Sequence, residues 1–238
     1  MVAAHMSATY TAVLTAREGE VLWEDPSFLP HGFDGHVVAG EAGGQEPPEG
    51  RAVTDGSTQW RLPDAPRDFT EWGPAEPVNG TEATDEAFFV IQAGMPREYD
   101  PRDPDFAERT LLLRVSDGEQ ILELGGPDSR SLPCSHDGQG TFVCQTPYGE
   151  EVIAYDDRSG EELWRLPDET AGRISLRVTA VRHGAVYGST DNGALILDAR
   201  TGQDRVTDLP LAPLDVGPGF GLVIAPTTAY VYLHPATG

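Results

Sequence analysis

Along EVIAYDDRSGEELWRLP, residues 150–166, apolar and polar positions alternate, break at a glycine-containing turn and resume with a tryptophan. Alternation with a period of two predicts a half-buried β-strand, and the interruption predicts a tight turn into a second one. The figure recurs along the chain. TAVLTAREGEVLWE places Gly19 in the turn and Trp23 four residues later, RAVTDGSTQWRLP places Gly56 and Trp60, and LLLRVSDGEQILEL places Gly118 and Leu122. The opening stretch carries Gly160 and Trp164, ALILDARTGQDRVTDLP carries Gly202 and Val206, and YVYLHPATG supplies Gly238.

Successive turn glycines are 37, 62, 42, 42 and 36 residues apart. A period near forty with strand alternation inside each unit predicts four-stranded propeller blades, in which neighbouring sheets bury what one sheet alone cannot. Glycine supplies the positive φ of the turn, and the bulky apolar residue four later fills the gap between blades. TAVRHG, AVYGSTDNG, ALILDARTG and QDRVTDL read as the four strands of one unit, with turns at His183-Gly184, Asn192-Gly193 and Arg200 to Gly202. The preceding unit runs through GTFVCQ, VIAYDD and ELWRLP, and Asp85 to Leu124 makes a longer one. The 62-residue interval holds the Pro-rich APRDFTEWGPAEPVNG, read as an inter-blade connection, and GMPREYDPRDPDFAERT, read as an insertion in an elongated hairpin. Two truncated blades are the rival reading. The fold class expected is an all-β propeller of five or six four-stranded antiparallel blades, or a fragment of a seven- or eight-bladed ring. Residues 9–238 form one domain in this reading, with residues 9–24 completing the sheet begun by FGLVIA and AYVYLHP.

The units resemble the pyrroloquinoline-quinone-type (PQQ-like) propeller repeat, through AYDDRSGEELW at 154–164, LILDARTG at 195–202 and AREGEVLW at 16–23, with weaker copies at 53–60 and 115–122. The resemblance implies fold more strongly than activity. The quinone-dependent alcohol dehydrogenases of that family carry adjacent cysteines and a calcium site; Cys134 and Cys144 are not adjacent here. The resemblance therefore points to the family's non-catalytic scaffolds and sensors, with no cofactor expected.

Composition refines this. The 238 residues include 27 Gly and 20 Pro, which suits a chain dense in turns. Acidic residues number 39 against 16 basic ones, all of them Arg, for a net charge of -23. That balance opposes nucleic acid and anionic membrane surfaces, and the missing lysine removes Schiff-base chemistry. The bias itself reads as salt adaptation or a GC-rich genome, with the acidity mainly conferring solubility. No run approaches the roughly 18 apolar residues of a membrane span. MVAAHMSA reads as a leader or cloning remnant over residues 1–8, from which an export signal was removed.

Cys134 and Cys144 flank Asp137-Gly138 and Gly140, a spacing that suits a hairpin disulfide in an oxidising compartment, with two buried thiols as the alternative. His136 alone nearby leaves a zinc set incomplete. His5, His31, His36, His136, His183 and His234 read as turn or surface residues, and Trp23, Trp60 and Trp164 as repeated packing rather than a cofactor platform. The insertion offers Arg97, Tyr99, Asp100, Asp103 and Asp105 as a candidate interaction loop; its aspartates read as solvated rather than calcium-binding. The expectation is a non-catalytic module of an extracellular or actinobacterial-type envelope protein, a monomer that binds a protein or peptide. The alternatives are a reduced quinone- or metal-dependent oxidoreductase and a carbohydrate-binding or hydrolytic propeller.

Overall fold

A computed structural model describes residues 10–42, 46–63, 72–78, 87–93, 108–126, 132–146, 149–217, 219–224 and 231–235. These residues are all-β, and every strand pairing is antiparallel. The chain divides into two compact units, Met1–Arg130 and Ser131–Gly238.

In the first unit, β1 (Thr11–Leu14) pairs with β2 (Val21–Asp25). A four-stranded meander follows, made of β3 (Phe28–Phe33), β4 (Val37–Ala42), β5 (Glu49–Ala52) and β6 (Thr58–Arg61). A second meander contains β7 (Trp72–Pro77), β8 (Phe88–Ala93), β9 (Glu108–Arg114) and β10 (Gln120–Gly126). The second unit has meanders of β11 (Cys134–His136), β12 (Thr141–Gln145), β13 (Val152–Asp156) and β14 (Glu162–Leu166), and of β15 (Arg177–Arg182), β16 (Ala185–Thr190), β17 (Gly193–Asp198) and β18 (Asp204–Leu209). A three-stranded sheet of β19 (Asp215–Gly217), β20 (Phe220–Ile224) and β21 (Val231–Pro235) completes it.

The five turns predicted around Gly19, Gly56, Gly118, Gly160 and Gly202 are one structure repeated. Each glycine has φ between 68° and 71°. Each donates its N–H to the carbonyl four residues earlier, at 2.8–3.0 Å. The residue holding that carbonyl donates its own N–H to the residue after the glycine, from Thr15 to Glu20 and from Asp198 to Gln203. A register irregularity follows each turn, so the residue four beyond the glycine always faces the same position: Trp23 opposite Val13, Trp60 opposite Gly50, Leu122 opposite Leu112, Trp164 opposite Ala154 and Val206 opposite Ile196. Asp156 and Asp198 tighten their turns by accepting two backbone N–H groups each on Oδ1.

The tryptophans do what the repeat predicts. The indole N–H of Trp23 donates to Val53 O at 3.1 Å, that of Trp60 to Val115 O at 2.9 Å and that of Trp164 to Ala199 O at 2.7 Å. Every acceptor lies three residues before the turn glycine of the following sheet. The ring then covers that glycine, so a Cβ at Gly118 would meet Trp60 at 2.6 Å and one at Gly202 would meet Trp164 at 2.9 Å. Around these hooks lie the apolar clusters, with Phe89, Ile91 and Leu113 beside Trp60 and Val186, Leu197 and Ala199 beside Trp164. The fifth position differs among the described residues, where Val206 is 42% exposed.

The Pro-rich connection also differs from expectation, because its residues Trp72–Pro77 form β7. Proline cannot donate to a strand ladder, but β7 bonds only to β8, so the missing N–H groups fall on an edge. The antiparallel pairing of β8 with β9 matches the elongated hairpin.

Candidate functional site

Arg97, Tyr99, Asp100, Asp103 and Asp105 lie outside the described residues. Cys134 and Cys144 are bridged. They face each other in the β11–β12 register with Cα atoms 4.1 Å apart, next to the Gln145 N–H to Pro133 O bond, as in a non-hydrogen-bonded cross-strand pair.

Two histidines are not the surface residues that sequence suggested. His136 is 2% exposed; its Nδ1 accepts the Gly138 N–H, which leaves Nε2–H to donate to Asp157 Oδ2 at 3.1 Å. A short β-hairpin buries it against Phe142, where Gly138 and the sequence-distant Asp157 satisfy both ring nitrogens. His31 sits at a strand irregularity in β3, with Nε2 3.1 Å from Glu41 Oε1 but without hydrogen-bond alignment. His36 and His183 are exposed at turns, and His183 adopts a φ of 53°. Among the described residues, no three His, Cys, Asp or Glu side chains form a metal-ligand group. No helix among them is long and apolar enough to cross a membrane.

A charged knot secures the start of the first unit. Glu49, whose side chain is fully buried, accepts from Arg51 Nε at 2.6 Å and Arg61 Nη2 at 2.5 Å. Arg51 also reaches Asp25 at 2.7 Å and lies over the Phe28 ring at 4.4 Å. Burial pushes the Asp25 carboxyl up, but hydrogen bonds from Arg51 and Ser27 outweigh it and hold the pKa at about 2. Burial likewise opposes ionisation of Glu49, and its two arginines win, leaving it below the usual carboxylate range. Every charge here has a partner, so the knot is structural.

A concave feature with room for a ligand lies in the second unit, among the described residues. A groove of about 260 Å³ opens between the connection that follows β14 and the sheet β15–β18. Its aliphatic lining is Leu166, Ile174, Leu176 and Leu195, and the hairpin turn Thr190–Gly193 forms one wall. The rim holds Arg173 and Asp204, paired at 2.5 Å. This geometry follows from local sequence. In the connection, residues 167–176, the apolar Ile174 and Leu176 follow a polar turn closed by a bridge between Asp168 and Arg173, and Ile174 is 52% exposed. Leu176 is instead buried over Gly188, where a Cβ would collide with it. Ser175 ties the segment to Gly149 O at 2.7 Å, and Thr190 Oγ1 accepts the Asn192 N–H, so both walls are fixed. The volume falls below the roughly 300–1,000 Å³ of pockets that engulf a drug-sized ligand, so the groove suits a side chain or two of a larger partner. The sequence signal was Ile174 and Leu176 at the end of a polar turn, which carries no motif.

No protein-family model matches the sequence, and no curated protein does. Solved structures do. BamB from Moraxella catarrhalis is similar over 100% of this chain and 71% of its own, at 13% identity and a TM-score of 0.51. A complex of KlAtg21 with the coiled-coil of AgAtg16 is similar over 98% of this chain and 74% of the matched one, at 8% identity and 0.53. Kluyveromyces lactis Hsv2 is similar over 99% and 82%, at 8% and 0.50. At these identities the likeness concerns fold alone. With the repeated four-stranded sheets it defines the fold as a β-propeller.

Proposed function

We propose that this chain is a non-catalytic propeller module that binds a protein or peptide partner. One observation carries the reading: an exposed isoleucine over an aliphatic floor, held between two hydrogen-bonded walls, in a groove smaller than those that engulf a drug-sized ligand. KlAtg21, solved in complex with a coiled-coil, supports it as a case of this fold engaging a protein. The insertion at residues 95–109, with Arg97, Tyr99, Asp100, Asp103 and Asp105, is a separate candidate interaction loop in this reading. The Cys134–Cys144 bridge supports an oxidising compartment, outside the cell or in its envelope. The PQQ-like character of the repeat is part of the same reading.

The chain contains no lysine, so amine-reactive coupling fixes it to a support through its N-terminus alone. Selection of a displayed peptide library and of envelope proteins against the full chain on that support tests the reading. Saturable binding confirmed by calorimetry is expected; background binding throughout overturns it.

A further inference from the structure

We infer that the groove between Leu166 and the β16–β17 turn receives one aliphatic side chain of an extended segment that is basic on both sides of that residue. This inference rests on the binding-module reading and names the partner chemistry. The apolar half follows from shape: Ile174 is 52% exposed beside Leu166, Leu176 and Leu195, and covering it removes apolar surface from water. The basic half follows from charge. The one cation lining the groove among the described residues, Arg173, is committed to Asp204 at 2.5 Å and to the Gly202 carbonyl. Arg177, one residue beyond Leu176, does not line it. Exposed carboxylates sit in the two segments that form the walls without lining the groove themselves, Glu169 on the connecting turn and Asp191 on the hairpin turn, and neither has a salt-bridge partner within the described residues. A basic segment therefore meets unneutralised acids on both sides of its aliphatic anchor, in a molecule of net charge -23. An acidic segment meets the net repulsion of that charge.

The test uses the full chain and three acetylated, amidated pentapeptides: Lys-Lys-Leu-Lys-Lys, Lys-Lys-Ser-Lys-Lys and Glu-Glu-Leu-Glu-Glu. Methyl NMR follows Ile174, Leu176 and Leu195. The first peptide is expected to shift these methyls saturably, and the other two to bind at least about tenfold more weakly, a difference of about 1.4 kcal/mol. Ile174→Ser, an exposed change that leaves the folded spectrum intact, is expected to weaken the first peptide by a similar factor. Joint replacement of Glu169 and Asp191 by Gln and Asn is expected to remove the preference for lysine over glutamate. No shift with the first peptide overturns the inference. Equal binding of the serine peptide, or indifference to Ile174→Ser, also overturns it, since either result means charge attraction without an anchor. If a partner selected on the intact chain still binds the Ile174→Ser variant at full affinity, this inference fails while the binding-module reading stands. If nothing binds the intact chain, that reading fails as well.

Discussion

Gly19 and Gly118 occupy the same turn with nearly the same backbone, at φ of 68° and 71°, but they have different neighbours. A Cβ at Gly19 meets nothing within 4 Å, whereas one at Gly118 meets the Trp60 ring at 2.6 Å. Alanine at either site bears the cost of the left-handed conformation, about 1–2 kcal/mol. At Gly118 overpacking adds a further 1–3 kcal/mol or so. Chemical denaturation of Gly19→Ala and Gly118→Ala should therefore separate the two by more than the uncertainty of the midpoint, with Gly118→Ala the less stable. Acid provides a second test at this scale. Asp25 and Glu49 both ionise more readily folded than unfolded, so their contribution is full above the unfolded carboxylate values near 4 and disappears as pH falls through the folded ones, about 2 for Asp25. Urea midpoints should decline as pH drops from about 5 to 2. Arg51→Leu should flatten that decline while lowering stability at neutral pH by about 3–5 kcal/mol, because it leaves Glu49 buried with one partner fewer.

Strands and turns differ in how plainly sequence announces them. The glycine turns were legible because their requirements are local: a positive φ, a short oxygen side chain to accept backbone N–H groups, and alternation on either side. Trp164 could be assigned to a gap between sheets from its offset alone. Strand β7 was hidden because Gly73, Pro74 and Pro77 oppose strand formation, and only its place at a sheet edge makes them acceptable. His136 was misread for a similar reason, since its burial depends on Asp157, which the chain brings back from 21 residues away. The groove was illegible too: Leu166, Ile174 and Leu195 come together through a connection and a sheet, with no spacing rule between them. The disulfide, in contrast, was readable as an option and is set by the register of β11 against β12. Replacing both Cys134 and Cys144 by Ala should lower stability by about 2–3 kcal/mol, the loop-closure value for a link across ten residues. Reducing agent should reproduce the loss in the native protein and leave the double variant unaffected.

For the whole molecule, 39 acidic residues against 16 arginines mean that most carboxylates have no cation available. Their mutual repulsion extends over about 10 Å at 0.1 M salt and about 3 Å at 1 M, so added sodium chloride should raise the thermal midpoint. A fall would mean that pairs such as Arg205–Asp198 contribute more than the repulsion removes. The indole hooks have a further consequence, because all three point the same way along the chain: residue 23 bonds to 53, 60 to 115 and 164 to 199. Each of these three sheets therefore lends its anchor to its successor. During synthesis from the N-terminus, every such tryptophan leaves the ribosome before the carbonyl that will receive it. A chain halted with Trp60 clear of the ribosome but Val115 not yet made should hold that indole undocked, and one halted well past Val115 should dock it.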